Sequence, residues 1–285
     1  VGKNGNISVK IGTQSNGQGH ETSYAQIVSD ILGIDISLIQ IFQGNSIDIK
    51  KGSGTGGSRS TPVGGSALKV ATENLLNKMI EILSENIKVN PKSIEYRNGI
   101  FFYKNKTFSI SDISNIFTKN TKNNLIEAKG SWTPPQGSFT YPNGTHICEL
   151  EVCKDTGKVN LLAYHVVDDF GKVINPLLLE GQVHGGIAQG IGQALYEETI
   201  YDSNGQLLSG SLMDYAIPRA SDLPNFNFSY NQIPCKTNLL GVKGAGEAGA
   251  IGAPPAVINA LCNALDVEHI DMPAKPEKLW KIINS

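Results

Sequence analysis

Gly241-Val242-Lys243-Gly244-Ala245-Gly246-Glu247-Ala248-Gly249-Ala250-Ile251-Gly252-Ala253-Pro254-Pro255-Ala256 sets one carboxylate in a run of residues almost without side chains. Glycine permits positive φ and a close approach of backbone to a ligand. Proline is tolerated in the first turn of a helix, so Pro254 and Pro255 predict a helix start. Val257, Ile258, Leu261, Cys262 and Leu265 then recur at helical spacing and predict a core-facing stripe. Glu247 is read as a carboxylate displayed on a tight loop where something bulky approaches. The alternative is a flexible glycine loop with a solvated glutamate.

Upstream of this stretch, Asn175-Pro176 predicts a helix start, with Asn as cap and Pro in the first turn. That helix is expected to run to about Glu198, with Ile187, Ile191 and Leu195 on one face. Gly185, Gly186, Gly190 and Gly192 interrupt it. Each interior glycine costs about 0.8–1 kcal/mol against alanine, so the four imply close approach of another backbone or a ligand. Thr145 to Cys153 and Val159 to Asp168 read as strands joined at Asp155-Thr156-Gly157. Adjacent strand positions point to opposite faces, so Asp168 and Asp169 are read as turn and surface groups rather than as an acid/base pair. Cys148 and Cys153 are read as packing residues.

Nearer the start, Asn6 to Thr13 and Ser37 to Phe42 read as strands flanking a helix that carries Tyr24, Ile27, Val28, Ile31 and Leu32. A second amphipathic helix spans Gly64 to about Asn86. Asn98-Gly99 predicts a hairpin, residues 115–124 read as a surface loop, and Lys275 to Ile283 reads as a short closing helix. Hairpins mixed with crossovers predict an α+β fold of two-layer, sandwich-like subdomains with mixed sheets and packed helices. The domains expected are 1–132 and 133–285.

Charged residues make up 18% of the 285, and the net charge is −2. An average globular protein carries about 25% charged residues. The balance gives no electrostatic case for nucleic acid or an anionic membrane. No apolar run is read as reaching the roughly 18 residues of a spanning helix, and no signal peptide is recognised. A soluble, cytoplasmic chain without membrane insertion is expected. Cys148, Cys153, Cys235 and Cys262 match neither a zinc nor an iron–sulfur spacing, and no metal ligand is assigned. The first residue is Val1, and a strand begins almost at once. The chain is therefore expected to begin part-way through a larger protein.

Three Gly/polar loops recur, at 14–22, 53–61 and 241–252. Backbone N–H groups and small polar side chains suit a phosphate-bearing ligand. Gly52-Ser53-Gly54-Thr55-Gly56-Gly57-Ser58-Arg59 lacks the Lys-Ser or Lys-Thr of a P-loop, and Gly244 to Gly249 lacks the strand that precedes a Rossmann fingerprint.

Taken in order, Gly17-Gln18-Gly19-His20-Glu21-Thr22, Gly57-Ser58-Arg59-Ser60-Thr61, Tyr141-Pro142-Asn143-Gly144-Thr145-His146, Gly181-Gln182-Val183-His184-Gly185-Gly186-Ile187-Ala188-Gln189-Gly190 and Gly241 to Pro255 closely resemble the molybdenum-binding large subunit of the xanthine dehydrogenase family. The resemblance is especially to the aerobic carbon monoxide dehydrogenase branch. The resemblance covers nearly the whole chain and loosens at about 85–130.

It implies a molybdenum-bearing molybdopterin cofactor, in bacterial members usually the cytosine dinucleotide. Gln18, Gly19 and His20 match one cofactor loop, Gly57, Ser58 and Arg59 a second, and Gln189 a glutamine that hydrogen-bonds the pterin. Gly244 and Gly246 match the cofactor-binding frame of Glu247, which matches the catalytic base. In family chemistry that glutamate takes a proton from a hydroxyl on the metal, and electrons leave through iron–sulfur centres and flavin. The resemblance thus implies an oxidoreductase of the molybdenum hydroxylase type. Its implied partners are an N-terminal half of the molybdenum subunit, an iron–sulfur subunit, an FAD subunit and a small-molecule substrate. Carbon monoxide, an aldehyde, a purine and another heterocycle all stay open as substrates.

His20 and His184 are assigned hydrogen-bonding or packing roles. Arg59 has two open readings: it holds the phosphate, or it braces its own loop. Two other functions are weighed: a non-catalytic cofactor-binding or assembly module, and a small-molecule binding domain without molybdenum. Retention of Glu247 favours the enzyme, because storage needs no base. The chain alone is expected to be cofactor-poor, inactive and prone to associate.

Overall fold

The structure, a computed structural model, describes residues 1–121 and 124–285. The fold is α+β, and the chain divides into two units. Unit 1 comprises Val1–Thr140 and Pro234–Val242, and unit 2 comprises Tyr141–Ile233 and Lys243–Ser285.

In unit 1, strand β1 (Ile7–Lys10) pairs in parallel with β2 (Ile39–Phe42) across helix α1 (His20–Leu32). A π-helical turn, Ser60–Gly65, runs into helix α2 (Ser66–Ile87). A three-stranded meander follows: β3 (Glu95–Arg97), β4 (Ile100–Tyr103) and β5 (Lys106–Ser109). The β3–β4 turn holds Asn98 and Gly99 at φ of 45° and 80°, the left-handed pair that a tight hairpin demands. Tyr24, Ile27, Val28, Leu32, Met79 and Leu83 are buried, the stripes that helical periodicity selects.

Residues 115–120 are not a loop. They complete helix α3 (Ile110–Asn120), which opens on a capping box in which Ser109 and Asp112 bond each other's backbone N–H groups. Ile113 is fully buried, so one apolar face and the cap outweigh the polar Asn and Lys residues. The remainder of that expected loop includes 122–123, which lie outside the described residues.

In unit 2, β6 (Asn143–Val152) and β7 (Val159–Asp169) form the expected hairpin, and β8 (Phe226–Asn231) pairs in parallel with β7. Helices α4 (Pro176–Leu195) and α5 (Ala248–Leu265) pack with this sheet. Between them they bury Tyr164, Val166, Val183, Ile187, Val257 and Leu261. Helix α6 (Pro276–Ile283) adds Leu279.

The α5 helix starts six residues before Pro254, so the prolines lie inside it rather than at its start. The reason is packing. Glycine and alanine in its first turns let α5 lie backbone-to-backbone on α4. A Cβ on Gly249 would run into the Val183 carbonyl and stand 2.6 Å from the Ile187 nitrogen, and one on Gly190 would stand 2.7 Å from the Ala253 Cβ. Gly186 and Gly192 are likewise crowded, by Gly249 and Ala250 and by Glu197 and Pro218. Gly185 differs, since a Cβ there meets nothing. Close packing therefore explains three of the four glycines.

Among the described residues, α5 is also the one helix long and apolar enough to cross a membrane by length and composition, with a mean hydropathy of 1.3. That corrects the reading that no such stretch exists. Here its Val257 and Leu261 are fully buried in the core of unit 2.

Candidate cofactor and base site

The two glycine loops of unit 1 lie side by side. Gly12 and Gly52 meet so closely that neither has room for a Cβ, and the Gly54 N–H donates to the Gly12 carbonyl at 3.3 Å. Thr55 Oγ1 donates to the Gln14 carbonyl at 2.5 Å, accepts from the Gln14 N–H at 3.3 Å, and lies 2.9 Å from Ser60 Oγ. A hydroxyl donates once and accepts twice, so Ser60 is the donor in the last pair. Tyr24 Oη donates to the Ser60 carbonyl at 3.0 Å. The structure thereby brings the loop of Gln18, Gly19 and His20 beside that of Gly57, Ser58 and Arg59.

Gln18 folds back on its own loop, its Oε1 accepting from the Asn16 N–H and its Nε2 donating to the Gln14 carbonyl. Gly19, at φ 74°, is the residue from which α1 starts. His20 is buried with Nδ1 3.1 Å from Gln43 Oε1. Burial lowers its basicity, and the Gln43 hydrogen bond works against that, which leaves a neutral imidazole at pH 7. Gln43 also takes a bond from Thr13 Oγ1, yet its buried Nε2 has no partner. Arg59 is exposed, and its Nε donates to the Gly56 carbonyl at 3.4 Å.

Helix beginnings separate into two kinds. The N-termini of α3 and α4 are closed by Ser109 and Asn175 side chains. The α1 helix, the turn at Ser60 leading into α2, and α5 start at Gly19, Arg59 and Glu247 with no side-chain cap, as does the short α6. An uncapped start leaves first-turn N–H groups and the positive end of the helix dipole for an anion. Among the described α-helices, with the Ser60 turn taken as the entry to α2, three of the four uncapped starts fall on the three loops singled out in the sequence.

In unit 2, Glu247 is exposed at the start of α5, at φ −116° and ψ −4°. Its backbone is tethered on both sides. The Gln182 Nε2 donates to the Gly246 carbonyl at 3.2 Å, and Gly249 is seated against Val183 and Gly186. Four residues upstream, Lys243 donates its N–H to the Phe170 carbonyl at 2.8 Å and its Nζ to Asp169 Oδ2 at 2.5 Å. Gln189 is exposed on α4, on the face shared with Gly181 and Gly185. Gly244 is buried and Gly246 exposed.

Asp168 and Asp169 are not surface groups; they are 4% and 5% exposed. Asp169 also accepts from the N–H groups of Gly171 and Ile233 at 2.9 and 3.0 Å. Burial alone would raise its pKa, but the Lys243 ammonium and those two N–H groups outweigh it and hold the carboxyl below its ordinary range. Asp168 Oδ2 lies 3.4 Å from His146 Nε2, whose Nδ1 is 2.8 Å from Tyr164 Oη. Gly252 of α5 sits over this imidazole, where a Cβ would stand 2.6 Å from the ring. Cys153, read as a packing residue, is exposed beyond the end of β6, whereas Cys148 packs against the core and burial pushes its thiol up to about 11. His184 packs edge-on to Phe226 and Phe228.

Sequence reasoning missed Asp169, Lys243 and Gln182 as supports of the Glu247 segment. Two adjacent carboxylates ending an apolar strand, and one lysine inside a glycine run, were the available signals.

Residues 1–224 match the family described as the molybdopterin cofactor-binding domain. The chain is 35% identical to the carbon monoxide dehydrogenase large chain of Afipia carboxidovorans, over 98% of this chain and 35% of that one. It is 32% identical to the nicotine 6-hydroxylase large subunit of Paenarthrobacter nicotinovorans, over 96% of this chain and 35% of that one. It superposes on carbon monoxide dehydrogenase from Oligotropha carboxidovorans with a TM-score of 0.89 and 34% identity, covering 99% of this chain and 36% of that one. The chain thus spans about a third of the length of the curated relatives it matches. On these matches, it belongs to the molybdopterin cofactor-binding domain family of the xanthine and carbon monoxide dehydrogenases.

Proposed function

We propose that the chain is the cofactor-bearing part of a molybdenum hydroxylase in which Glu247 is the general base. The observation that carries this reading is an exposed carboxylate on a backbone held from both sides, at the uncapped start of a helix. The residues present fit an anionic pterin. Two further uncapped helix starts coincide with the other cofactor loops, and Gly17, Gly54 and Gly56 face open space where a Cβ would project. Gln18, Gly19, His20, Gly57, Ser58, Arg59, Gln189, Gly244 and Gly246 hold the cofactor, in its cytosine dinucleotide form. Bound there, it supplies two-electron oxidation with water as the oxygen source and passes electrons to iron–sulfur and FAD partners.

What this chain adds is placement and proton handling. The Glu247 carboxylate takes up the proton that the water-derived nucleophile gives up, and the glycines around it leave room for substrate at hydrogen-bond distance. Its partners are the remainder of the molybdenum subunit and the iron–sulfur and FAD subunits. Substrate choice is tested on a panel drawn from the relatives' names: carbon monoxide, nicotine and xanthine.

In the assembled enzyme, Glu247→Gln keeps shape and removes basicity. Turnover is expected to fall about 10²–10⁴-fold, with molybdenum per polypeptide unchanged. Near-normal turnover of a fully loaded variant would remove Glu247 from the chemistry. A loaded wild-type enzyme that oxidises nothing would point instead to a storage or assembly module.

A further inference from the structure

A base in a glycine-rich segment has no intrinsic stiffness, since glycine at 244, 246 and 249 leaves the backbone free to rotate. Stiffness must come from neighbours. One turn of α4 supplies it. At its start, the Gln182 Nε2 donates to the Gly246 carbonyl, which belongs to the peptide joining Gly246 to Glu247. One turn later, Gly186 lies where a Cβ would stand 3.0 Å from the Ala250 nitrogen and 3.1 Å from the Gly249 Cα. Between them, the Val183 carbonyl and the Ile187 nitrogen close on Gly249. Residues 246 to 250 are thus seated on residues 182 to 187. The Gln182 side chain reaches the peptide carrying the carboxylate.

We propose that Gln182 is a positioning residue for Glu247, acting through the Gly246–Glu247 peptide rather than on substrate or cofactor. This rests on the reading of Glu247 as the base. The bond is open to solvent, but its donor is the side chain of the partly buried Gln182, which gives the Gly246 carbonyl a direction. Without the donor, the peptide can turn about the Gly246 Cα–C bond and the Glu247 N–Cα bond, which changes the direction of the Glu247 side chain. Catalysis depends steeply on such placement, a misplacement of about 1 Å costing about 10²-fold.

The test uses the assembled, cofactor-loaded enzyme with Gln182→Met, which keeps length and removes the donor. Two readouts are taken. Amide hydrogen exchange of the peptide spanning Gly244 to Ala250 is expected to rise about tenfold, with the rest of unit 2 unchanged. With the panel substrate that wild type oxidises, kcat is expected to fall about tenfold and KM to stay within about twofold. Glu247→Gln and the double variant complete a cycle, in which Gln182→Met should cost nothing further once the base is gone. If Glu247→Gln itself leaves kcat intact, the base assignment fails. If instead that variant is dead while Gln182→Met changes neither exchange nor kcat, only the positioning role fails. Faster exchange with unchanged kcat, or lost kcat with unchanged exchange, also overturns it, as does an additive double variant.

Discussion

The glycine loops of unit 1 and the Glu247 segment of unit 2 share a composition, yet they are held by opposite means. In unit 1 most of the ties are exposed: Thr55 to Gln14 and Ser60, Gln18 to Asn16 and Gln14, Arg59 to Gly56. Water competes for such bonds at little net loss, so an incoming polar ligand can replace them. In unit 2 one tie, Gln182 to the Gly246 carbonyl, is exposed, and the rest are buried: the Lys243–Asp169 pair, Gly249 under the Val183 carbonyl, Gly252 over His146. Nothing small can replace those. The contrast separates adaptable binding from preorganised chemistry, since a base works only if its position is fixed beforehand.

The largest effect expected from breaking this contrast is at the buried ion pair. Asp169→Ala strands the Lys243 ammonium, whose side chain is only 10% exposed. Removing one partner of a buried pair costs about 3–5 kcal/mol. A urea melt of the purified protein checks it, and a loss below 1 kcal/mol would mean that Lys243 finds water instead. The pair also has a pH signature. The folded Asp169 carboxyl is held below its ordinary range, so its contribution is complete above the unfolded value of about 3.9. It is lost as pH falls through the lower folded value. The acid-side fall in stability should therefore be shallower in Asp169→Ala than in wild type.

A smaller effect is expected from two glycines, one of α5 packed against α4 and one on the open face of α4. At Gly249 of α5, alanine would press its Cβ into the Val183 carbonyl. Backbone cannot yield as a flexible side chain can, so overpacking of about 1–3 kcal/mol should exceed any gain in helix propensity. At Gly185 the added Cβ meets nothing, and alanine should stabilise by about 0.8–1 kcal/mol. Thermal melts of Gly249→Ala and Gly185→Ala should move in opposite directions. If both rise, α5 does not lie on α4 as closely as its backbone indicates.

Periodicity made much of this fold legible. The stripes of α1, α2 and α4, the β6–β7 hairpin and the Asn98-Gly99 turn each follow from local sequence. The α3 helix escaped because its Asn and Lys residues mask Ile110, Ile113 and Phe117, although Ser109 and Asp112 already spelled a capping box. The start of α5 escaped for a different reason. Glycine and alanine look like a loop until it is known that another helix lies against them. The burial of Asp169 could not be read locally at all, since its partner Lys243 is 74 residues away. Glu247 stood out because it is the one acidic residue in a glycine run, whereas Gln182, which reaches its backbone across 64 residues, carried no signal.

The smallest effect tests the other side of the contrast. Thr55 Oγ1 is the centre of the unit 1 loops, giving one hydrogen bond and receiving two. Thr55→Val keeps the branched shape and removes all three. Because the residue is exposed, water can take over for Gln14 and Ser60, and the loss in stability should stay below about 1 kcal/mol. What should change is the order of one loop beside the other. A ligand that binds both then has to restore that order, and the assembled enzyme should retain cofactor a few-fold less well on dilution. Melting temperature and molybdenum per polypeptide measured on one preparation separate the two effects. A destabilisation as large as that of Asp169→Ala would mean that these exposed ties hold unit 1 together as firmly as the buried pair holds the Glu247 segment. The distinction between a replaceable frame and a fixed one would then be lost.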